Sequence, residues 1–170
     1  MTDVRRQIRQ HVLANPGVHF NELTRQLDIA TGQAQYHLRR LREGSTLETE
    51  HLRGRTHYFP TGYEPRERRT LALLRRETVR EMLVYALEAG EPREADIAEE
   101  LGVARSTVAW HVSTLVEAGV AEKCYDERGR VRLCLHDPDE LCRLLEEISP
   151  SLPDRLVDRF TRLVDASFYG

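Results

Sequence analysis

Between Thr31 and Leu41 the chain reads TGQAQYHLRRL, and the groups it offers are amides and guanidiniums: Gln33, Gln35, Arg39 and Arg40, beside the hydroxyls of Thr31 and Tyr36. A glutamine amide presents a donor and an acceptor side by side. An arginine presents a rigid fork of donors, and such forks match purine edges and phosphate oxygens. None of these groups is an activated nucleophile. Wound as a helix at about 100° per residue, the stretch places Ala34, His37, Leu38 and Leu41 on one apolar stripe, and Gln33, Gln35, Tyr36, Arg39 and Arg40 on the opposite face.

Other reactive residue types are present without the spacing that chemistry needs. His37 and His111 take equivalent places at the edge of a core stripe, so one structural reason covers both. His51 and His57 flank a hairpin and can approach each other across it, but a metal needs a further ligand and none is in view. The three cysteines, Cys124, Cys134 and Cys142, form no CxxC pair, and a disulfide is not expected in a reducing compartment. Cys124 and Cys134 fall on the two strands of a second hairpin. They read as small half-buried sheet residues, with a redox or soft-metal switch as the alternative their proximity leaves open. No nucleophile–base pair, glycine-rich phosphate loop or paired-carboxylate motif occurs, so no enzyme, catalytic residue, metal site or cofactor is expected.

The elements that carry the polar face come in duplicate. A shift of 74 positions (110 minus 36) lays Tyr36 on Trp110, His37 on His111, Leu38 on Val112 and Leu41 on Leu115. Upstream in the same register, Leu23 falls on Ile97, Leu27 on Leu101 and Ile29 on Val103. In the first copy Val4, Ile8 and Val12 mark a helix from Asp3 to Ala14, stopped by Asn15-Pro16-Gly17. Asn21 to Leu27 reads as a short helix joined to the next by only Asp28 to Ala30, a helix-turn-helix. Leu47 to Leu52 and Arg55 to Phe59 around Arg53-Gly54 read as a β-hairpin. With these residues in place, the chain resembles the archaeal tandem winged helix-turn-helix transcriptional regulators, and each copy resembles ArsR- and MarR-type DNA-binding modules. The expected fold class is mostly α with small β-hairpin wings (α+β): two tandem winged helix-turn-helix domains plus C-terminal helices.

The expected divisions are a first domain over 1–62, a basic and helical linker over 63–76, a second domain over 77–136 and a C-terminal helical dimerisation segment over 137–170. The linker arginines between Arg66 and Arg76 suit a DNA backbone or a solvated face paired with Glu67, Glu77 and Glu81. Asp137-Pro138-Asp139-Glu140 starts a helix with Leu141, Leu144, Leu145 and Ile148 on one side. A further helix with Leu156, Phe160, Leu163 and Val164 inward is expected to make a homodimer, or else to pack on the second domain. The net charge of −3 conceals a polarity, since residues 1–65 hold nine Arg against seven acids and residues 137–170 hold four Arg against eight. With no long apolar run and no apolar segment after Asp3-Val4-Arg5-Arg6, the expected place is the cytoplasm, with no membrane partner.

The resemblance implies double-stranded DNA as the partner, contacted through Thr31, Gln33, Gln35, Tyr36, Arg39 and Arg40 on the helix and Arg53 and Arg55 on the wing. In the second copy the corresponding cations are Arg105, Arg128 and Arg130, but the helix face there is Ser106, Thr107, Ala109, Trp110, Ser113 and Thr114. The expectation is therefore a regulator whose first domain dominates DNA reading, with Trp110 buried in a contact between domains or subunits. The alternative is a protein-interaction module with paired winged helices, as in chromosome-organising complexes. No motif assigns a small-molecule effector.

Overall fold

The first helix, α1 (Asp3–Ala14), buries Ile8 and Val12 completely, as their spacing along one stripe requires. The computed structural model describes residues 3–148 and divides the chain into two units, Met1–Ala72 and Leu73–Gly170. In the first, the chain leaves α1 through Gly17, whose φ of 82° suits glycine. Its vacant Cβ position lies 3.2 Å from Phe59 Cε1, so the aromatic ring closes over it.

Residues Val18–His19 then form a two-residue strand, β1, which sequence periodicity does not reveal because it is too short to alternate. It pairs antiparallel with β3 (Arg55–Pro60), which in turn pairs with β2 (Leu47–Leu52), giving the order β1-β3-β2. Between them lie α2 (Phe20–Leu27) and α3 (Thr31–Glu43). Ile8, Val12, Val18, Leu23, Leu38, Leu41, Leu47 and Tyr58 form the core these elements share, with Val4, Phe20, Leu27 and Ile29 packed against it.

The expected approach of His51 and His57 is not found. The register sets His51 opposite Thr56 and His57 opposite Glu50, so the two histidines point to opposite faces of the hairpin. His57 is buried, its Nδ1 donates to Gly17 O at 2.7 Å, and its ring meets His19 edge-on at 6.0 Å.

Residues Pro65–Leu74 form α4, as the basic linker predicts. Arg68 there serves neither of the two expected roles: it donates to Glu48 and to Tyr63 O, both at 2.8 Å, stands 3.5 Å from Glu50 and is only 15% exposed. It ties the helix to β2.

The second unit repeats the plan with α5 (Glu77–Ala89), α6 (Glu94–Leu101), α7 (Arg105–Glu117), β4 (Ala121–Tyr125) and β5 (Val131–Leu135), followed by α8 (Pro138–Ile148). Met82, Leu83, Ile97, Val108, Val112, Leu115 and Leu133 are fully buried. The counterpart of β1 shrinks to a bridge between Arg93 and Arg132. Asp137 caps α8 by accepting from Glu140 N at 2.9 Å.

Leu141, Leu144, Leu145 and Ile148 are buried already in the single chain, so the apolar stripe of α8 is not left open for a partner. Leu156, Phe160, Leu163 and Val164, the other expected interface residues, lie outside the described residues. Among the described residues no helix is long and apolar enough to cross a membrane.

Contrary to the expectation of reduced thiols, Cys124 and Cys134 are joined as a disulfide. The register pairs Cys124 with Arg132 and Glu122 with Cys134, so the cysteines are diagonal neighbours on one face. Their Cα atoms are 6.0 Å apart, within bridging range.

Candidate nucleic-acid interface

Helix α3 presents the face its periodicity predicts. Ala34, His37, Leu38 and Leu41 are buried, while Thr31, Gly32, Gln33, Gln35, Tyr36, Arg39 and Arg40 are exposed. Tyr36 is 57% exposed, and its ring meets His37 edge-on at 5.1 Å. The two arginines share one carboxylate: Arg39 Nε donates to Glu43 Oε1 at 2.9 Å and Arg40 Nη1 to Oε2 at 3.2 Å. The Arg39 hydrogen bond, assisted by Arg40, holds the Glu43 carboxyl below the ordinary carboxylate range. Arg39 is 79% exposed and Arg40 55%, so water screens both pairs and a phosphate or base edge can compete for the guanidiniums.

The first wing turns in two residues. Arg53 and Gly54 both take positive φ, 51° and 75°, the pattern of a type I′ turn, whose twist matches that of the strands it joins. Arginine is an unusual occupant of that first position, which sequence reasoning assigns to the glycine alone. The tip stands clear with Arg53 and Arg55 exposed.

Gln35 of α3 and Gly54, Arg55 and Thr56 of the wing line a single concavity of about 310 Å³, completed by His19, Phe20, Asn21 and Tyr58. Helix and wing thus converge on one surface. His19, Asn21 and Thr56 are missed by sequence reasoning, since only the strand pairing brings them beside Gln35.

The same surface of the second domain is built differently. Arg105 and Ser106 are exposed at the start of α7, but the positions matching Arg39 and Arg40 are Ser113 and Thr114. Both hydroxyls turn back on the helix, Ser113 Oγ donating to Ala109 O and Thr114 Oγ1 to Trp110 O, each at 3.0 Å. Thr114 is buried, not part of the open face as expected, and Thr107 is half-buried.

Within the single chain Trp110 is 47% exposed, because it projects from the side of α7 opposite Val108, Val112 and Leu115, with its ring edge-on to His111 at 4.8 Å.

On the second wing, Asp126 accepts from Arg128 N, Arg130 N and Arg130 Nε at 2.9, 3.0 and 2.7 Å. Arg130 N–H leads the contacts that hold the Asp126 carboxyl below its usual range. Arg130 is thereby engaged in shaping the turn.

The comparisons with known proteins match this duplication. Residues 2–71 match a family model described as an N-terminal HTH domain, and residues 68–122 one described as winged helix-turn-helix DNA-binding. An uncharacterized HTH-type transcriptional regulator of Methanocaldococcus jannaschii is 28% identical over 131 residues, 77% of this chain, and the chain spans 33% of that relative's length. The mRNA-binding domain of elongation factor SelB from E. coli, solved with SECIS RNA, shares 15% identity over 81% of this chain and 100% of its own, with a TM-score of 0.33. Two polar helix faces, two hairpins and two matched models together make the chain a tandem of two winged helix-turn-helix domains.

Proposed function

We propose that the chain is a sequence-specific double-stranded DNA-binding transcriptional regulator of the archaeal tandem type, with an ArsR/MarR-like mode of docking and a first domain that dominates reading. The observation that carries this is the convergence of Gln35 on α3 and Arg55 on the wing upon one concave surface. In that mode α3 enters the major groove, where Gln33 and Gln35 are matched to adenine and Arg39 and Arg40 to guanine. Thr31 and Tyr36 reach backbone or thymine methyl groups, and Arg53 and Arg55 hold phosphates or the minor groove. Arg105, Arg128 and Arg130 supply weaker backbone contacts.

A second reading attaches to the second domain only. The exposed Trp110, set among small uncharged neighbours, suits a protein contact better than a phosphate backbone. That contact is placed between subunits of a homodimer in the cytoplasm, whose two-fold symmetry would match an inverted-repeat operator.

Selection from random-sequence duplexes followed by fluorescence anisotropy over a salt series tests the function. The expected result is an enriched motif, with log affinity falling linearly against log salt by several units of slope. No enrichment and a flat salt response would contradict it.

A further inference from the structure

The two wings differ most at their roots. Pairing of Leu47 with Pro60 corresponds to pairing of Ala121 with Leu135, so past the longer second turn the repeat offset grows from 74 (121 minus 47) to 75 (135 minus 60). On that register Cys134 takes the place of Phe59, Cys124 that of Glu50, and Glu91 that of Gly17. The strand pairing carries the same alignment: His19 pairs with His57 in the first domain, and Arg93 bridges to Arg132 in the second, where Leu133 N also donates to Pro92 O at 2.9 Å.

Where Phe59 seals the first domain over Gly17, the second has a carboxylate and two sulfurs. Their ligand atoms all lie within 4.8 Å of one another. Beside them is a cavity of about 250 Å³ that Glu91 and Cys134 line together with Leu87 and Leu135.

We propose that in the reduced protein Cys124, Cys134 and Glu91 bind a soft divalent cation of the Zn2+ class. Tetrahedral zinc takes sulfur at about 2.3 Å and carboxylate oxygen at about 2.0–2.2 Å, which places the oxygen about 3.5–3.7 Å from each sulfur and the two sulfurs about 3.8 Å apart. The carboxylate–sulfur separations exceed that by at most about 1.3 Å, within reach of side-chain rotation, and the two sulfurs, bonded to each other in the oxidised form, part to that distance on reduction.

The backbone that carries the three ligands is held in place. Besides the Leu133–Pro92 bond, Arg132 Nη1 donates to Glu91 O at 2.7 Å, and the Arg93–Arg132 bridge lies one residue further on. Two thiolates with one carboxylate select zinc or cadmium over magnesium or calcium, which favour all-oxygen shells. Three protein ligands leave a fourth position for water or an exchangeable group. Cation binding here joins both strands of the wing to the residue that leads into α6.

The disulfide is the closed form of the same site, since both sulfurs are spent on each other. A phosphine opens it: the disulfide, the phosphine and one water give two thiols and one phosphine oxide. Metal uptake then releases the two thiol protons.

The test uses the full chain, oxidised and phosphine-reduced, titrated with Zn2+ and with Co2+ as a spectroscopic probe. The reduced chain is expected to bind one ion with proton release, and its Co2+ form to show tetrahedral d–d bands and a thiolate charge-transfer band. The oxidised chain is expected to bind none.

Cys124→Ser and Cys134→Ser remove the charge-transfer band. Glu91→Gln weakens binding by at least the roughly 10- to 100-fold that even an outer-shell partner's loss costs. Cys142→Ser, outside the disulfide, changes nothing. Failure of the reduced chain to take up metal, uptake that survives loss of both cysteines, or equal uptake by the oxidised chain would overturn the site, and an unchanged affinity in Glu91→Gln would overturn the three-ligand set.

Discussion

At the scale of single residues, the groups proposed to read DNA are not idle in the free protein. Glu43 holds Arg39 and Arg40 in defined positions, at the energetic cost of having to be displaced when they turn to a base or phosphate. Its own charge also repels the duplex. Glu43→Gln is therefore expected to tighten DNA binding by about two- to fivefold without harming the fold, because the pairs are exposed and individually weak. Anisotropy titration at one fixed salt concentration checks this, and weaker binding would show that Glu43 serves to pre-position the arginines. These pairs were legible in the sequence as i,i+4 and i,i+3 neighbours. The engagement of Arg130 by Asp126 was not, because a five-residue turn does not announce which of its arginines folds back on its aspartate.

At the scale of elements, the helices follow the sequence closely because each apolar stripe is long enough to display its period. The departures occur where backbone torsion, not hydrophobic pattern, decides. The turn of each helix-turn-helix needs a left-handed residue after its first helix, with φ of 50° at Asp28 and 66° at Gly102. The repeat thus conserves the torsion while changing the side chain. Nothing lies within 4 Å of a Cβ added at Gly102, so Gly102→Ala would carry only the torsional penalty, about 1–2 kcal/mol. Asp28→Gly relieves a milder strain and loosens the unfolded chain, so its effect is expected to stay within about 1 kcal/mol. Urea unfolding of both variants measures the contrast, and a neutral Gly102→Ala would remove the argument. The concavity shared by Gln35 and Arg55, like the diagonal placement of the two wing cysteines, depends on strand register, which a run of alternating residues leaves open.

At the scale of the whole molecule, duplication with divergence is the organising fact. One copy keeps arginines on its polar helix face where the other has serine and threonine, and of the two arginine-bearing wings the second turns its Arg130 back onto Asp126. A homodimer joined through Leu156 and Phe160 would pair two such first domains on one operator. The full chain is accordingly expected to scatter light as a dimer, and the Leu156→Arg, Phe160→Arg double variant as a monomer. A monomeric wild type, or a variant that stays dimeric, would place the proposed interface elsewhere. The central claim is that α3 of the first domain reads DNA, and the Arg39→Ala, Arg40→Ala double variant tests it most directly. In gel-shift titration against the selected duplex at fixed salt, with folding verified by circular dichroism, the variant is expected to bind at least about tenfold more weakly, since each base-reading arginine contributes about 1–3 kcal/mol. Undiminished affinity would contradict the account.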